Sequence, residues 1–447
     1  MKIDLDITRT AAIRSTPRRK QVEGKFDLSA TEQSTRTWHA SIDLPEGPFL
    51  GAIIGPSGSG KTTLARALAD KLGGIFVAPK DAHGHACEPF QWPADACLVD
   101  GFPEEMAFNE VVNLLSSVGF SSPPHWMIPY GALSNGEQFR ANLARGLAES
   151  KLAGKPVCFD EFASLVHDVP AKIGSAALSK AVRTLGMQVI VDTWRTDVLE
   201  WLEPDWVLFV NADGTTDFQT NLNGDARRWV RPDVRVEIFR TTRKTWELFR
   251  HAHYLSHSLH PNAGCFVGVI DGVPAVFTAV IAFPHPKRPG FREHRTVCLP
   301  DFQGIGLGNA MSAFIGSLYS ARGKPYYSAT SNPAMIRHRK RNIREWRLCR
   351  EASFTPGKNG FNDGYERKVN ASQRLTVSFQ YIGPDRAIEA GNFGLLADPK
   401  LTAAVCAAIR KDQPQSATPK ARSAARSKTR ASKDRTARQR PQACRTS

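Results

Sequence analysis

Apolar positions in this chain fall into short unbroken runs, separated by longer stretches with a helical period. Phe49–Ile54, Val157-Cys158-Phe159 and Val189-Ile190-Val191 have the length and composition of buried strands. Thr62–Lys71 and Ala141–Ala148 read as helices between them. Ala96–Val99 reads as a further strand. This alternation predicts an α/β domain over residues 26–220. After residue 225 the pattern restarts. Val234–Phe239 is a strand candidate and Lys244–Ser256 a helix. Cys265–Ile270 and Ala275–Phe283 are β-branched apolar runs around Asp271-Gly272, a strong hairpin signal. His294–Leu299 leads into a glycine-rich turn and an amphipathic helix ending near Ser320. The strand Pro325–Ala329 and a helix near Ala334 follow. A second, α+β domain is expected over residues 228–385, with an extension over 386–412.

The first strand runs into Gly55-Pro56-Ser57-Gly58-Ser59-Gly60-Lys61-Thr62-Thr63, which opens the first helix. Strand, glycine-rich loop and helix N-terminus together make a phosphate cradle. Gly55, Gly58 and Gly60 let backbone amides approach an anion, and Ser57 and Thr63 lie in the same loop. Lys61 supplies a cation for the outer phosphates and Thr62 a hydroxyl for Mg²⁺. Downstream, Ser134 is a good N-cap and Gly136 lets backbone approach a phosphate. The strand Val157–Phe159 ends in Asp160 and Glu161. One acid there can hold Mg²⁺ through water while its neighbour orients an attacking water.

Phosphate loop, Leu133-Ser134-Asn135-Gly136-Glu137-Gln138 and acidic strand end, in that order, resemble the nucleotide-binding domain of ABC-type ATPases. The resemblance implies that Ser134 and Gly136 close on ATP held by a partner subunit, so that ATP drives homodimerisation. It also implies that Asp160 holds Mg²⁺ and Glu161 is the catalytic glutamate. Asn135 stands where the family usually has Gly. The family's histidine after the strand Val189–Val191 is absent, leaving Trp194 and Arg195 as candidates. Arg195 can contact a phosphate but cannot act as a neutral acceptor. Gln91 and Asp100 are candidates for the family's glutamine loop. His83, His85, Cys87 and Cys97 match no standard zinc spacing and read as a polar loop.

In the second half, Gln303, Gly304, Gly306 and Gly308 form a Q-x-x-G-x-G-like turn between strand and helix. With the preceding hairpin, this resembles the acyl-CoA loop of GNAT-type N-acyltransferases. The resemblance implies acetyl-CoA or another acyl-CoA as donor, with its pyrophosphate on the loop amides. Acyl transfer needs an amine deprotonated and a leaving thiolate reprotonated. Glu293 and His294 are candidate bases, and Tyr326 and Tyr327 candidate acids. His253 and Tyr254 form a further candidate pair, which looks like one in acyltransferase-like DNA-base modifiers of phages. The run Arg337-His338-Arg339-Lys340-Arg341, with Trp346 nearby, reads either as a phosphate-binding and base-stacking surface or as a solvated basic face.

Charge sharpens this picture. The 447 residues carry a formal net charge of +16. Residues 411–447 hold eleven Lys or Arg against two Asp and almost no large apolar side chain. The segment 413–447 is therefore expected to remain a disordered basic tail that reads nucleic acid or another polyanion. Residues 1–25, with Arg18-Arg19-Lys20, read as a smaller basic segment. No apolar run reaches the ~18 residues of a membrane span, and the N-terminus lacks an apolar signal core. Eight cysteines are too sparse for a disulfide scaffold, and Cys158 and Cys265 read as core, so a cytoplasmic location is expected. These features point to an ATPase coupled to acyl transfer onto nucleic acid or an associated amine. The alternatives are a transporter's ATP-binding subunit and an ATP switch whose second domain only binds.

Overall fold

The computed structural model describes residues 1–26, 33–78, 90–223, 226–253, 257–286, 288–351 and 376–396. The basic tail, Tyr254, and His83, His85 and Cys87 lie outside the described residues.

The first domain opens with β1 (Lys2–Ala12), α1 (Pro17–Phe26) and β2 (Gln33–Asp43). β1 and β2 pair antiparallel from Lys2↔Asp43 to Ala12↔Gln33. There follow β3 (Phe49–Ile54), α2 (Lys61–Lys71), β4 (Ile75–Val77), α3 (Phe108–Ser117), α4 (Pro123–Trp126) and α5 (Asn135–Ala153). Next come β5 (Val157–Phe159), α6 (Asp168–Leu185), β6 (Gln188–Thr193), α7 (Leu199–Leu202), β7 (Trp206–Val210) and β8 (Thr216–Thr220). The sheet order is β4-β5-β6-β3-β7-β8, with β8 antiparallel and the other strands parallel. All six residues of β3 are buried, as expected for a parallel strand covered on both faces.

Two expectations change here. Residues 1–25 are not a separate basic segment: Ile3 and Leu5 of β1 are buried with Ile42, Ile53 and Leu64. Alternate burial of β1 residues, with charges on the other face, fits one sheet face packed on a core. The segment Ala96–Val99 is not a strand. Leu98–Gly101 is a 3-10 turn, closed by the Cys97 amide donating to the Asp100 carboxylate at 3.2 Å.

A short ladder of β9 (Leu222–Asn223) and β10 (Ala226–Arg227) leads to the second domain. That domain contains β11 (Glu237–Thr241), α8 (Trp246–Phe249), β12 (Gly264–Ile270), β13 (Val273–Phe283), β14 (Gly290–Cys298) and α9 (Leu307–Ser320). It continues with β15 (Tyr326–Thr330), α10 (Pro333–Arg341), β16 (Trp346–Arg350), β17 (Val377–Tyr381) and α11 (Ala387–Asn392). The sheet order is β11-β12-β13-β14-β15-β17-β16. The hairpin β12–β13 turns at Asp271-Gly272, as the sequence predicts.

The helix expected over Lys244–Ser256 is instead three short turns ending at an extended His253. Trp246, Phe249 and Ala252 are buried at intervals of three along this run, in which the short α8 lies between two 3-10 turns. Ala390 of α11 and Leu395 are buried in the second domain's core, so the extension expected from residue 386 begins inside that domain.

β14 and β15 run parallel, but only Phe291↔Tyr326 and Arg292↔Tyr327 pair. Beyond that point a cleft of about 1220 Å³ is lined by Glu293–Cys298 of β14 and by Ala329 and Thr330 at the end of β15. Its far wall comes from α3 and α6 of the first domain.

Candidate functional site

Two clefts gather the residues singled out in the sequence. The smaller, about 340 Å³, lies over the loop between β3 and α2 and is lined by Ser57, Gly58, Gly60, Lys61, Thr62 and Thr63. Gly60 caps α2 at φ 106°. A Cβ there would come within 2.2 Å of the Trp38 ring, so any side chain strains both loop and ring. Trp38 also donates from Nε1 to the Ser59 carbonyl at 2.6 Å, and Arg36 donates to the Gly58 and Ala212 carbonyls. β2 thus clasps the loop from outside, a contribution that sequence reading missed. Lys61 Nζ donates to the Pro56 carbonyl at 3.0 Å.

Thr62 Oγ1 donates to Asp160 Oδ1 at 2.7 Å across 98 residues of chain. Glu161 lines the same cleft, and it and Ala163 have φ of 49° and 58°. Left-handed backbone at two non-glycine residues is strain held by its surroundings. Asp192 at the end of β6 does the holding. Its Oδ1 accepts the Glu161 amide at 3.1 Å, and its carbonyl accepts the Phe162 amide at 2.7 Å. Burial and the nearby Asp160 carboxyl push the Asp192 carboxyl well above the usual range.

Asp192 was visible in the sequence as a strand-ending acid, but Trp194 and Arg195 were the expected occupants of that position. Trp194 does line the cleft. Arg195 does not: it is ion-paired to Asp168 and Asp197, each at 2.7 Å. Neither Gln91 nor Asp100 lines the cleft among the described residues.

Ser134 and Gly136 do not line this cleft either. Ser134 caps α5, and its Oγ donates to Glu137 Oε2 at 2.8 Å while its amide donates to the same oxygen at 3.1 Å. His125 Nδ1 meets the other Glu137 oxygen. Burial raises the Glu137 carboxyl, but hydrogen bonds with His125 and Ser134 outweigh it and hold the group below the usual range. The same bond raises His125. The Gly136 Cα side faces Asp301 of the second domain, whose Oδ1 would lie 3.6 Å from an added Cβ.

The larger cleft brings together His253, Glu293, His294 and the turn Gln303–Gly308. The turn is divided in function. Gln303 Oε1 accepts the Ser121 amide at 2.7 Å, and its Nε2 donates to the Cys298 carbonyl at 2.9 Å. Its carboxamide oxygen thus joins the domains and its nitrogen braces the end of β14, while the residue still lines the cleft. Gly304, at φ 102°, packs so closely on the first domain that a Cβ would meet Ala177 at 2.7 Å and the Gly119 Cα at 2.8 Å. Gly306 caps α9, and an added Cβ there would meet nothing within 4 Å. Gly308 is nearly as open, with Thr296 at 3.9 Å. These two glycines keep the open side of the turn.

Arg140, one and a half turns into α5, is fully buried between the domains. It donates to the carbonyls of Gly119, Asp301 at 3.0 Å and Gln303 at 3.1 Å. Burial pushes its pKa down to about 10, against the pull of the Asp301 carboxylate. No local pattern in the sequence marks this residue as a bridge.

The expected bases and acids change roles. Glu293 accepts from Ser312 Oγ at 2.6 Å and is ion-paired with the buried Arg339 at 3.2 Å. Arg339 also lies 4.2 Å from the Trp346 ring centroid. These contacts hold the Glu293 carboxylate against α9 and α10, so Glu293 reads as a brace between β14 and those helices rather than as the catalytic base. Tyr326 is fully buried, with its pKa raised well above normal by burial and by Glu293, and Tyr327 lies on another surface. His294 accepts the His260 amide through Nε2 at 3.2 Å, and burial beside Arg295 pushes it down to about 4. His253 is buried edge-on to Trp246, with ring centroids 5.6 Å apart.

Among the described residues, no helix is long and apolar enough to cross a membrane. No family model and no curated protein matches the chain. Similar solved structures do exist. A dimeric bacterial ABC transporter cassette is 16% identical, over 41% of this chain and 92% of that one, with a TM-score of 0.32. The cbiO1 component of an ABC transporter complex from Clostridium perfringens is 17% identical, over 40% and 80%, with a TM-score of 0.33. The ADP- and phosphate-bound dimer of an ATP-binding cassette is 14% identical, over 49% and 98%, with a TM-score of 0.35. At these identities and scores the neighbours carry no assignment of function to this chain.

Proposed function

We propose that the first domain is an ABC-type ATPase and that the second is a GNAT-like acyltransferase fold, acting on nucleic acid or an associated amine. The observation that carries the first half is the Thr62–Asp160 hydrogen bond beside Lys61 and Glu161. A hydroxyl and a carboxylate meeting next to a glycine-rich loop fit MgATP, with Lys61 at the phosphates and Glu161 placed to orient water. Bound Mg²⁺ would neutralise charge on the transferring phosphate. Ser134 and Gly136 lie away from their own chain's cleft, which favours a site completed by a second copy.

The splay between β14 and β15, with Gly306 and Gly308 open at the start of α9, supports the second half. In the proposed transfer, an amine nitrogen attacks the thioester carbonyl. The C–N bond forms, the C–S bond breaks, and the amine's proton passes to the departing thiolate. His253 is the remaining described candidate for handling that proton, with Tyr254 its proposed partner.

A binding-only second domain, switched by ATP, is the competing reading. The engagement of Glu293 by Arg339 and the depressed His294 favour it. Mass spectrometry of nucleic acid and protein incubated with the chain, MgATP and isotope-labelled acetyl-CoA decides between them. Label transferred in a His253-dependent manner supports acyl transfer. Tight CoA binding with no transferred label supports the switch.

A further inference from the structure

The interdomain cleft is strongly unbalanced in charge. Its walls hold six Lys or Arg side chains against three Glu and no Asp. The three glutamates are already engaged: Glu110 with Lys151 at 2.5 Å, Glu293 with Arg339, and Glu345 with the Asn342 amide at 2.7 Å. Lys180, Arg337 and Arg341 have no hydrogen-bond or ion-pair partner among the described residues. Arg337 and Arg341 stand one turn apart on α10, a like-charge spacing that a bound anion would relieve. Burial and the Arg341 charge lower Arg337. Lys180 projects from α6 of the other domain closely enough to disfavour charge on His338. α10 lies against α3 of the first domain, and Lys180, Arg337 and Arg341 all line the one cleft.

We propose that this cleft is a phosphate site shared by the two domains, where Lys180 of α6 joins Arg337 and Arg341 of α10 to hold the ribose-phosphate end of a nucleotide-type thioester. The proposal rests on the donor reading of the second domain and adds its recognition determinant. The open turn at Gly306 and Gly308 lines the same cleft, so one extended ligand reaches both. A volume of about 1220 Å³ suits a nucleotide-sized ligand. Because Lys180 belongs to the ATPase domain, donor affinity depends on how the two domains are docked.

The test is calorimetry on the full chain, with a non-hydrolysable ATP analogue saturating the Lys61 cleft. Four probes are titrated: CoA, dephospho-CoA, adenosine 3′,5′-bisphosphate and a single-stranded oligonucleotide. CoA is expected to bind about ten-fold more tightly than dephospho-CoA, the size of one or two charge-assisted contacts. Lys180→Gln and Arg341→Gln, both surface changes, should each remove most of that difference and leave dephospho-CoA within about two-fold. Equal binding of CoA and dephospho-CoA by the wild type overturns the site while leaving the donor reading intact. Bisphosphate binding that depends on Lys180 and Arg341, without CoA binding, upholds the site and overturns the donor reading. Binding of none of the small probes, or an oligonucleotide as the sole ligand weakened by the variants, overturns the proposal.

Discussion

Lys61, Glu161 and Asp192 occupy one cleft, yet their replacement should give three different outcomes. Lys61→Ala should abolish ATP binding, because the fixed cation at the phosphates is lost. Glu161→Gln should bind ATP and fail to hydrolyse it, and hydrolysis equal to the wild type would remove Glu161 from its role. Asp192 acts through backbone, holding the strained Glu161 turn by accepting its amide. Asp192→Ala should slow hydrolysis about 100-fold with ATP binding kept, the cost expected of a misplaced group. Asp192→Asn retains an acceptor oxygen and should recover most of the rate. If Asn and Ala behave alike in single-turnover assays, the positioning role fails.

The His125–Glu137 pair makes the cap of α5 pH-dependent. His125 is raised above 6.5, so its contribution is complete below that value and is lost as pH rises through the folded pKa. Glu137 is lowered below 4.5, so its contribution is complete above that value and is lost as pH falls through the folded pKa. The pair therefore supports the cap fully between 4.5 and 6.5. Amide exchange at residues 135–138 should accelerate beyond its intrinsic pH trend above neutrality. A His125→Gln variant should lack that extra acceleration.

At the level of elements, legibility followed the range of the interactions. β3, β5 and β6 were readable because a parallel strand buried on both faces is an apolar run, with its functional residues just past its end. The β12–β13 hairpin was readable because its turn is local. The pairing of β1 with β2 was not, since it joins residues across an intervening helix. Nor were the roles of Arg140 and Gln303, whose partners lie far away in sequence. The 3-10 turns on either side of α8 were missed because apolar spacing of three also fits one face of an α-helix.

The domain junction carries a prediction at this scale. Arg140→Ala strands two buried carbonyls and a half-buried third, and should cost about 3 kcal/mol. Differential scanning calorimetry should then resolve two transitions in place of one. A single unshifted transition would show that Arg140 does not bind the domains together. Gly306→Glu, placed on the open side of the turn, should abolish CoA binding while sparing ATP binding. Unchanged CoA affinity would move the ligand off that turn.

For the whole molecule, the separation of Ser134 and Gly136 from their own cleft makes association testable. The Glu161→Gln protein should sediment as a dimer when MgATP is added and as a monomer without it. An unchanged monomer at saturating ATP would count against a shared site. Deleting residues 413–447 should flatten the salt dependence of nucleic-acid binding, because each lost phosphate contact removes released counterions. An identical salt slope would dismiss the tail as an anchor.

The Arg140 contacts finally bear on how such a chain can be inherited. Of its three acceptors, Gly119 belongs to one half, while Asp301 and Gln303 belong to the other. A first half kept apart from the second would leave Arg140 without two of its acceptors, and the second half would leave two turn carbonyls without that donor. Recombination that moves either half onto a foreign partner meets the same mismatch. The two halves are therefore expected to be exchanged only as a matched pair, whether joined in one chain or docked as two.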